Sequence, residues 1–380
     1  KPKGFLARFI DMGEDDSNGN NSVEAGSGNT NRSRKQQHKE PGPIRKFFYN
    51  VSPTGRFNRV DVFNVGLKHQ KRYFDRRLSS DVQLGYSFGY EAPTYSAQLS
   101  WWPLKESRRF VLSGKYFADT ETSYHSDLYS TTLVSVLPLL GYDDYFNHYR
   151  NSGIQISSGL RPLKSRFTYR LHYNYEEHRS INFKTSYDIL GRDNNQRLNP
   201  LIEDGSLSAV RFQVSSGDLT NNFGVIELNG LNFNIEQSAT LIGSDWDYTR
   251  FSVNLNKRFN TFYKKRFIPN ALDLRVNAGT YLGDLPVQKN GALDAAFGYV
   301  TPFGAFKSKK YTPYQGASYF ALNAEHNFRS VPLEMLGWRK APQTGLSIIA
   351  FGGIGKVWNP NTHVGQFGIA NSDIFHLEVG

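Results

Sequence analysis

The clearest candidate for chemistry is Gly352-Gly353-Ile354-Gly355-Lys356, which has the outline of a phosphate loop. That loop needs a glycine five residues before the Gly-Lys pair and a Ser or Thr after the lysine. This chain has Ala350 and Val357 there. Glycines inside a strand more often mark a kink or the close approach of another segment. His172 and His178 are six residues apart. On a strand they share a face but stand far apart, and no Cys or repeated carboxylate completes a ligand set. Ser, His and Asp are abundant, yet no nucleophile elbow or other catalytic spacing is present. Tyr90, Tyr95, Trp101 and Trp102 could stack on a ligand or form an interfacial girdle. Lys307, Lys309 and Lys310 could attract anions or acidic lipids, or simply solvate a loop. The sequence therefore points to a protein that is not an enzyme, with no catalytic residue, metal site or cofactor. A rim-located hydrolase is the weakest alternative.

The elements that must position these residues are set by the stretch 81–102. Val82, Leu84, Tyr86, Phe88 and Tyr90 alternate with Asp81, Gln83, Gly85, Ser87 and Gly89. After Glu91-Ala92-Pro93 the pattern resumes, with Tyr95, Ala97, Leu99 and Trp101 between Thr94, Ser96, Gln98 and Ser100. A period of two means strand, with one apolar, aromatic face and one small, polar face. Strand candidates follow at 57–69, 81–90, 94–102, 110–118, 150–160, 166–176, 207–214, within 223–242, and at 249–259, 271–281, 318–328 and 345–358; a last begins near Phe375. No helix-period segment is expected between them, so the fold is all-β, an antiparallel up-and-down meander.

Composition narrows this further. The 380 residues have a mean hydropathy of −0.53, and the longest apolar run, 134–140, contains Pro138. Helical membrane spans are excluded on that basis, but strand spans, being only half apolar, are not. Aromatic content of 14%, from 22 Tyr and 28 Phe among others, suits the interfacial girdles of a transmembrane barrel. Residues 12–43 are polar and charged; segment 1–43 is expected to be a mobile polar loop or strand-loop segment, and 44–380 the barrel. The chain starts without Met and stops at Gly380 inside an expected strand, so it reads as a fragment of an exported protein whose last strands are missing.

The connections fall into two alternating sets. One set (71–80, 103–109, 161–166, 215–223, 257–269, 329–343) is short and holds 18 Lys/Arg against 4 Asp/Glu. The other (91–94, 119–149, 177–206, 243–248, 283–317, 359–373) contains three segments of about thirty residues and holds 8 Lys/Arg against 16 Asp/Glu. Outer-membrane barrels have short periplasmic turns and longer external loops. The net charge of +11 is thereby assigned to a basic rim, not to a nucleic-acid surface. Alternation also requires one strand before 57–69, in 1–10 or upstream, giving a full barrel of about sixteen strands.

Certain segments, in order, resemble the barrel of the bacterial surface antigen superfamily of outer-membrane assembly and secretion proteins. Within it they look most like a Bacteroidetes group with a carboxypeptidase-regulatory-like N-terminal domain. The segments are Phe57-Asn58-Arg59-Val60, the paired strands around Gly85 to Trp101, Leu285-Pro286, Tyr319-Phe320-Ala321-Leu322-Asn323-Ala324-Glu325-His326-Asn327-Phe328, and Phe351-Gly352-Gly353-Ile354-Gly355-Lys356-Val357-Trp358. The resemblance implies that 283–317 folds back into the barrel, with Gly298, Tyr299, Phe303, Lys307, Lys309 and Lys310 as its candidate functional residues. The family loop carries Val-Arg-Gly-Phe/Tyr, whose Arg pairs with an Asp on the wall. Here 283–317 has no arginine, Phe297-Gly298-Tyr299 is the nearest remnant, and the Asp position reads Gly353. Losing both charges together is coherent, because an inward charge without its partner is costly.

The implied function is assistance to the insertion, assembly or export of other envelope proteins in the bacterial outer membrane. The partners would be the lipid bilayer, unfolded or exported envelope proteins and accessory envelope proteins, with no nucleic acid. The alternative is a passive or gated pore, or a structural barrel.

Overall fold

The computed structural model describes residues 50–104, 108–124, 126–191, 196–217, 221–222, 225–226, 229–262, 270–310, 314–359 and 375–380. Segment 1–43 lies outside them.

The protein is all-β. Fourteen strands form one antiparallel sheet in strict chain order. They are β1 (Val51–Asn58), β2 (Val62–Tyr73), β3 (Leu78–Ser87), β4 (Ala92–Trp101), β5 (Phe110–Thr122), β6 (His148–Leu160) and β7 (Phe167–Ser180). There follow β8 (Gly205–Ser216), β9 (Asn229–Ser238), β10 (Tyr248–Asn260), β11 (Ala271–Gly283), β12 (Ser318–Arg329), β13 (Ile348–Trp358) and β14 (Phe375–Val379). Each strand pairs with its chain neighbour, and β1 and β14 are the two edges of the sheet among the described residues.

Alternation sets the faces. The ladder puts Leu67 opposite Leu84, and Leu84 opposite Tyr95. Val65, Leu84, Leu99, Tyr116, Ile156, Leu171 and Phe212 are all exposed on the outer face. The inner face carries Asn64, Asn151, Asn174, Glu176, Glu236, Asn256, Arg275 and Asn323, all buried. The sheet curls around this polar side: Arg56 on β1 pairs with Asp119 on β5, and Lys289, after β11, pairs with Glu176 on β7.

Two sequence expectations need correction. The strand expected at 57–69 is two elements. Phe57 and Asn58 end β1, the chain turns through Arg59-Val60-Asp61, and β2 begins at Val62, where φ is +57°. The Asn58 Oδ1 accepts the Val60 and Asp61 N–H groups at 3.0 and 2.7 Å, an Asx turn that the strand-like run Phe57-Asn58-Arg59-Val60 concealed. The preceding strand required by alternation is β1, between Val51 and Asn58; residues 1–10 lie outside the described residues. Helices are also present. The nine-residue α1 (Thr131–Leu139) is capped by the Ser130 side chain accepting from the Leu133 N–H, and α2 is a single turn (Val331–Met335). No helix among the described residues is long and apolar enough to cross a membrane, which leaves strand crossing open.

At the long-connection end the β1–β2 turn is locked into the neighbouring loops. Arg59 is fully buried. Its backbone N–H donates to the Asp144 carboxylate at 3.0 Å, and its guanidinium to the Asp144 carbonyl, Asn147 Oδ1 and Asn199 Oδ1 at 3.0 to 3.2 Å. Asn199 in turn donates to the His148 and Ile181 carbonyls. One side chain thereby joins three connections. Arg59→Ala leaves acceptors in 141–147 and 196–199 short of a donor and opens a void; we expect a loss of about 2–3 kcal/mol. The check is the denaturation midpoint of detergent-folded protein, with Arg59→Lys expected to recover less than half. A midpoint equal to wild type for Arg59→Ala would refute the assignment.

Candidate functional site

The site is the segment between β11 and β12, which lies against the inner face of the sheet. Gly283 turns the chain with φ of +90°, a conformation glycine adopts without a Cβ penalty, and the Asp284 N–H donates to the Asp247 carbonyl at 2.7 Å. Four contacts then tie the segment down.

The first is the turn Val287–Lys289. Gln288 Nε2 donates to the Glu203 carbonyl at 2.8 Å and lies 3.1 Å from His178 Nδ1. Lys289 Nζ donates to Glu176 Oε2 at 3.0 Å. Burial alone would lower the Lys289 pKa, but the Glu176 and Glu236 carboxylates outweigh it and hold the amine above its ordinary value. The second contact is a ladder within the segment, Gly291–Leu293 against Tyr314–Gly316. Asn277 on β11 donates to the Ala292 carbonyl at 3.2 Å.

The third contact centres on Asp294. Its carboxylate accepts from Ser126 Oγ at 2.9 Å, from the Tyr145 hydroxyl at 3.2 Å and from the Tyr124 hydroxyl at 3.4 Å. The Ala295 N–H donates to the Tyr145 oxygen at 2.8 Å, and the Tyr129 hydroxyl donates to the Ala295 carbonyl. Phe297 packs between the Tyr129 and Tyr145 rings, with centroids 5.6 and 5.1 Å away. Burial pushes the Asp294 carboxyl up to about 6; the Arg275 guanidinium and the Ser126 and Tyr145 donors oppose that shift, and Asp127 adds to it. Burial raises the Tyr124 and Tyr145 hydroxyls far above their ordinary value, so both stay protonated and donate.

The fourth contact joins the segment to β12, β13 and β14. Phe306 is buried, and its ring lies over Gly353 and Gly355 of β13; a Cβ built on Gly355 would stand 2.6 Å from that ring and 2.9 Å from Leu293. Lys307 Nζ donates to Glu325 of β12 at 2.7 Å and lies 4.0 Å from the centroid of the Phe351 ring. The Lys307 N–H, Ser308 N–H and Ser308 hydroxyl all donate to one oxygen of Glu378, at 2.7, 3.0 and 3.1 Å. Glu378 lies on the edge strand β14.

The expected residues divide between these contacts. Gly298, with φ of +60°, and Tyr299, 88% exposed, sit at the tip of a turn against Tyr142 of the 141–147 connection and away from the wall. Phe303 packs on the Tyr129–Tyr145–Phe297 cluster. Lys307 reaches the wall. Lys309 and Lys310 belong to the short strand Phe306–Lys310, and their side chains lie outside the described residues. The wall attachment therefore falls on Phe306-Lys307-Ser308, not on the Phe297-Gly298-Tyr299 remnant. The partners Glu176, Asp294, Glu325 and Glu378 escaped sequence reasoning because each is a lone carboxylate in an otherwise ordinary strand or loop. The one readable signal was the close spacing of Gly353 and Gly355.

The remaining candidates separate. His178 stacks on Trp246 and hydrogen-bonds Glu176, whereas His172 faces Gln155. Among the described residues no group of three or more His, Cys, Asp or Glu is placed to hold a metal ion. Beside the inward segment is a cavity of about 430 Å³, lined by Arg211, Arg250, Arg275, Glu121, Glu236 and Asp294 among others.

No family model matches the chain, and no curated protein matches it. Among solved structures, CdiB from Acinetobacter baumannii aligns at a TM-score of 0.38 with 12% identity, over 86% of this chain and 51% of that one. The chain thus spans about half the length of that neighbour.

Two outcomes test the site. The Asp294 carboxyl is raised on folding, so the folded state holds its proton more tightly than the unfolded state. Its contribution to stability is complete below the unfolded value near 3.8 and is lost as pH rises through about 6. At neutral pH the charge costs about 3 kcal/mol. Asp294→Asn is expected to match or exceed wild type at pH 7.5, and to show less gain in urea midpoint on acidification to pH 4.5. A variant weaker than wild type at pH 7.5, with an unchanged pH slope, would contradict this. Gly355→Val should displace Phe306 and raise tryptic cleavage at Lys307 in folded protein several-fold, while Ile354→Val leaves it unchanged. Equal cleavage in both would overturn the packing argument.

Proposed function

We propose that the chain forms a β-barrel in the bacterial outer membrane that assists the insertion, assembly or export of other envelope proteins. The membrane part of the reading rests on the outer face. Leu67, Leu84, Leu99, Tyr116, Ile154, Ile156, Leu171 and Phe212 are exposed on consecutive strands of 10 to 14 residues. A contiguous apolar belt of that extent is rare on a soluble monomer and fits the hydrocarbon-spanning band of a barrel.

The observation that carries the polypeptide-handling part is the latch on Glu378. The segment that lies against the inner side is bound to β14 through the three donors of Lys307 and Ser308, all on one carboxylate. A polypeptide entering the inner side can compete for that acceptor with its own N–H groups. Release of the segment and opening of the inner side are therefore linked through Glu378. A gated pore is the second reading. It is favoured by the charged cavity beside the segment, in which case the segment acts only as a constriction.

Depletion of the protein followed by quantitative proteomics of the outer membrane and cell surface tests the main reading. Selective loss of other barrels or surface proteins is the expected result. An unchanged proteome, with single-channel conductance that rises in Glu378→Gln, would instead establish the pore. For the membrane part, Ile156→Lys places a charge at the middle of the outer face and should cost about 2–4 kcal/mol of folding in vesicles. Folding yield without detergent or vesicles, unaffected by Ile156→Lys, would refute it.

A further inference from the structure

The short-connection rim combines two features that the polypeptide-handling reading leaves unused. Each of three connections places a large apolar side chain at its apex and a cation beside it. In the β2–β3 turn Phe74 is 76% exposed, two residues before Arg76; in the β6–β7 turn Leu163 is 67% exposed next to Lys164; in the β12–β13 connection Leu336 is 84% exposed, shortly before Arg339. These apolar groups stand beyond the strand ends, where a turn in plain water would carry polar residues.

In two of these turns the backbone takes an unusual conformation. Phe74, Asp75 and Arg76 have φ of +51°, +52° and +67°, and Lys164 has φ of +59°. A bulky residue such as Phe in the left-handed region is an outlier, sustained here by the Arg77 N–H donating to the Phe74 carbonyl at 3.0 Å. None of Arg76, Lys164 and Arg339 forms an ion pair with a described residue, so their charge is available to an outside partner. The sequence concentrates cations on this rim, 18 Lys/Arg against 4 Asp/Glu, and reverses the balance at the other.

We propose that this rim is a collar for the headgroups of anionic phospholipids: Phe74, Leu163 and Leu336 insert among the upper acyl carbons while Arg76, Lys164 and Arg339 bind lipid phosphate. The proposal rests on the membrane part of the function proposed above. A lipid surface is the occupant because the three apices belong to strand pairs that are not neighbours, spread from β2 to β13. A planar anionic surface meets all of them at once, and the apolar tips continue the apolar outer face into the headgroup layer. An acidic protein would match the cations and leave the apolar apices without a reason.

The chain has no cysteine, so a single introduced thiol carries a single label. The 380-residue chain bearing an environment-sensitive fluorophore on Leu336→Cys is folded into phosphatidylcholine vesicles, with and without phosphatidylglycerol. Tyr299→Cys, on the opposite rim, is the control. At position 336 quenching by nitroxide-bearing lipid is expected, at least about three-fold stronger when phosphatidylglycerol is present. Position 299 should respond only to iodide in the water. Adding Lys164→Glu and Arg339→Glu should abolish the phosphatidylglycerol-dependent gain while heat-modifiable gel mobility persists. Quenching at 336 that equals 299, that ignores phosphatidylglycerol, or that is replaced by shielding from added soluble envelope proteins overturns the collar. Identical mobility boiled and unboiled, with no flotation on vesicles, overturns the barrel reading and the collar with it.

Discussion

Side chains on a strand can face only two ways, and an antiparallel ladder forces neighbouring strands to agree on which way is which. Here Leu67, Leu84 and Tyr95 stand in one row across β2, β3 and β4. A one-residue slip in any hairpin would carry Asn64, Asp81 or Thr94 onto the apolar side. Turns such as the Asn58-capped Arg59-Val60-Asp61 hold that register, and the rest of the molecule follows from it. The inner side is left lined with Asn, Ser, Arg and Glu, none of which can stay buried without partners. The segment between β11 and β12 meets that demand by bringing its own polar groups.

The segment uses two kinds of attachment in different proportions at its two ends. Near Lys289 and Asp294 it is held by charge and hydroxyl donors. Near Phe306 an aromatic ring lies over two glycines, flanked by the Lys307–Glu325 pair and the Glu378 acceptor. Ring packing over Gly353 and Gly355 holds this end of the segment to β13 without a charge at either position. An apolar contact needs no partner charge and no desolvation of ions, so it can stand in for a buried pair with little loss of stability. The directional contacts beside it set the position of the ring. Asp294 is the exception among these anchors: its charge is penalised at neutral pH and tolerated because three hydroxyls converge on it.

The two rims differ in kind. The long-connection end is stitched together through Arg59, Asn199 and Asp144, so its loops form a packed layer of their own. The short-connection end has no comparable mesh among the described residues, and its cations and apolar apices face outward. One end is thus stabilised by contacts within the chain, and the other is left free to meet its surroundings.

Much of this was legible in the residues. The all-β meander, the face of nearly every strand, the alternation of long and short connections and the opposite charge of the rims each follow from positions two apart or from turns a few residues long. Local period carries that information because a strand's facing depends only on its immediate neighbours. The β1–β2 turn escaped, since Phe57-Asn58-Arg59-Val60 has the composition of a strand and only the Asn58 side chain bends it. Helix α1 is hard to read locally because its nine residues are mostly apolar and include Pro138. The partners of the inward segment were decided by tertiary structure alone. Glu378 meets Lys307 across 71 residues, and Glu176 meets Lys289 across 113. Contacts at such separation depend on how far the whole sheet has curled, and no local pattern in the sequence encodes that curvature.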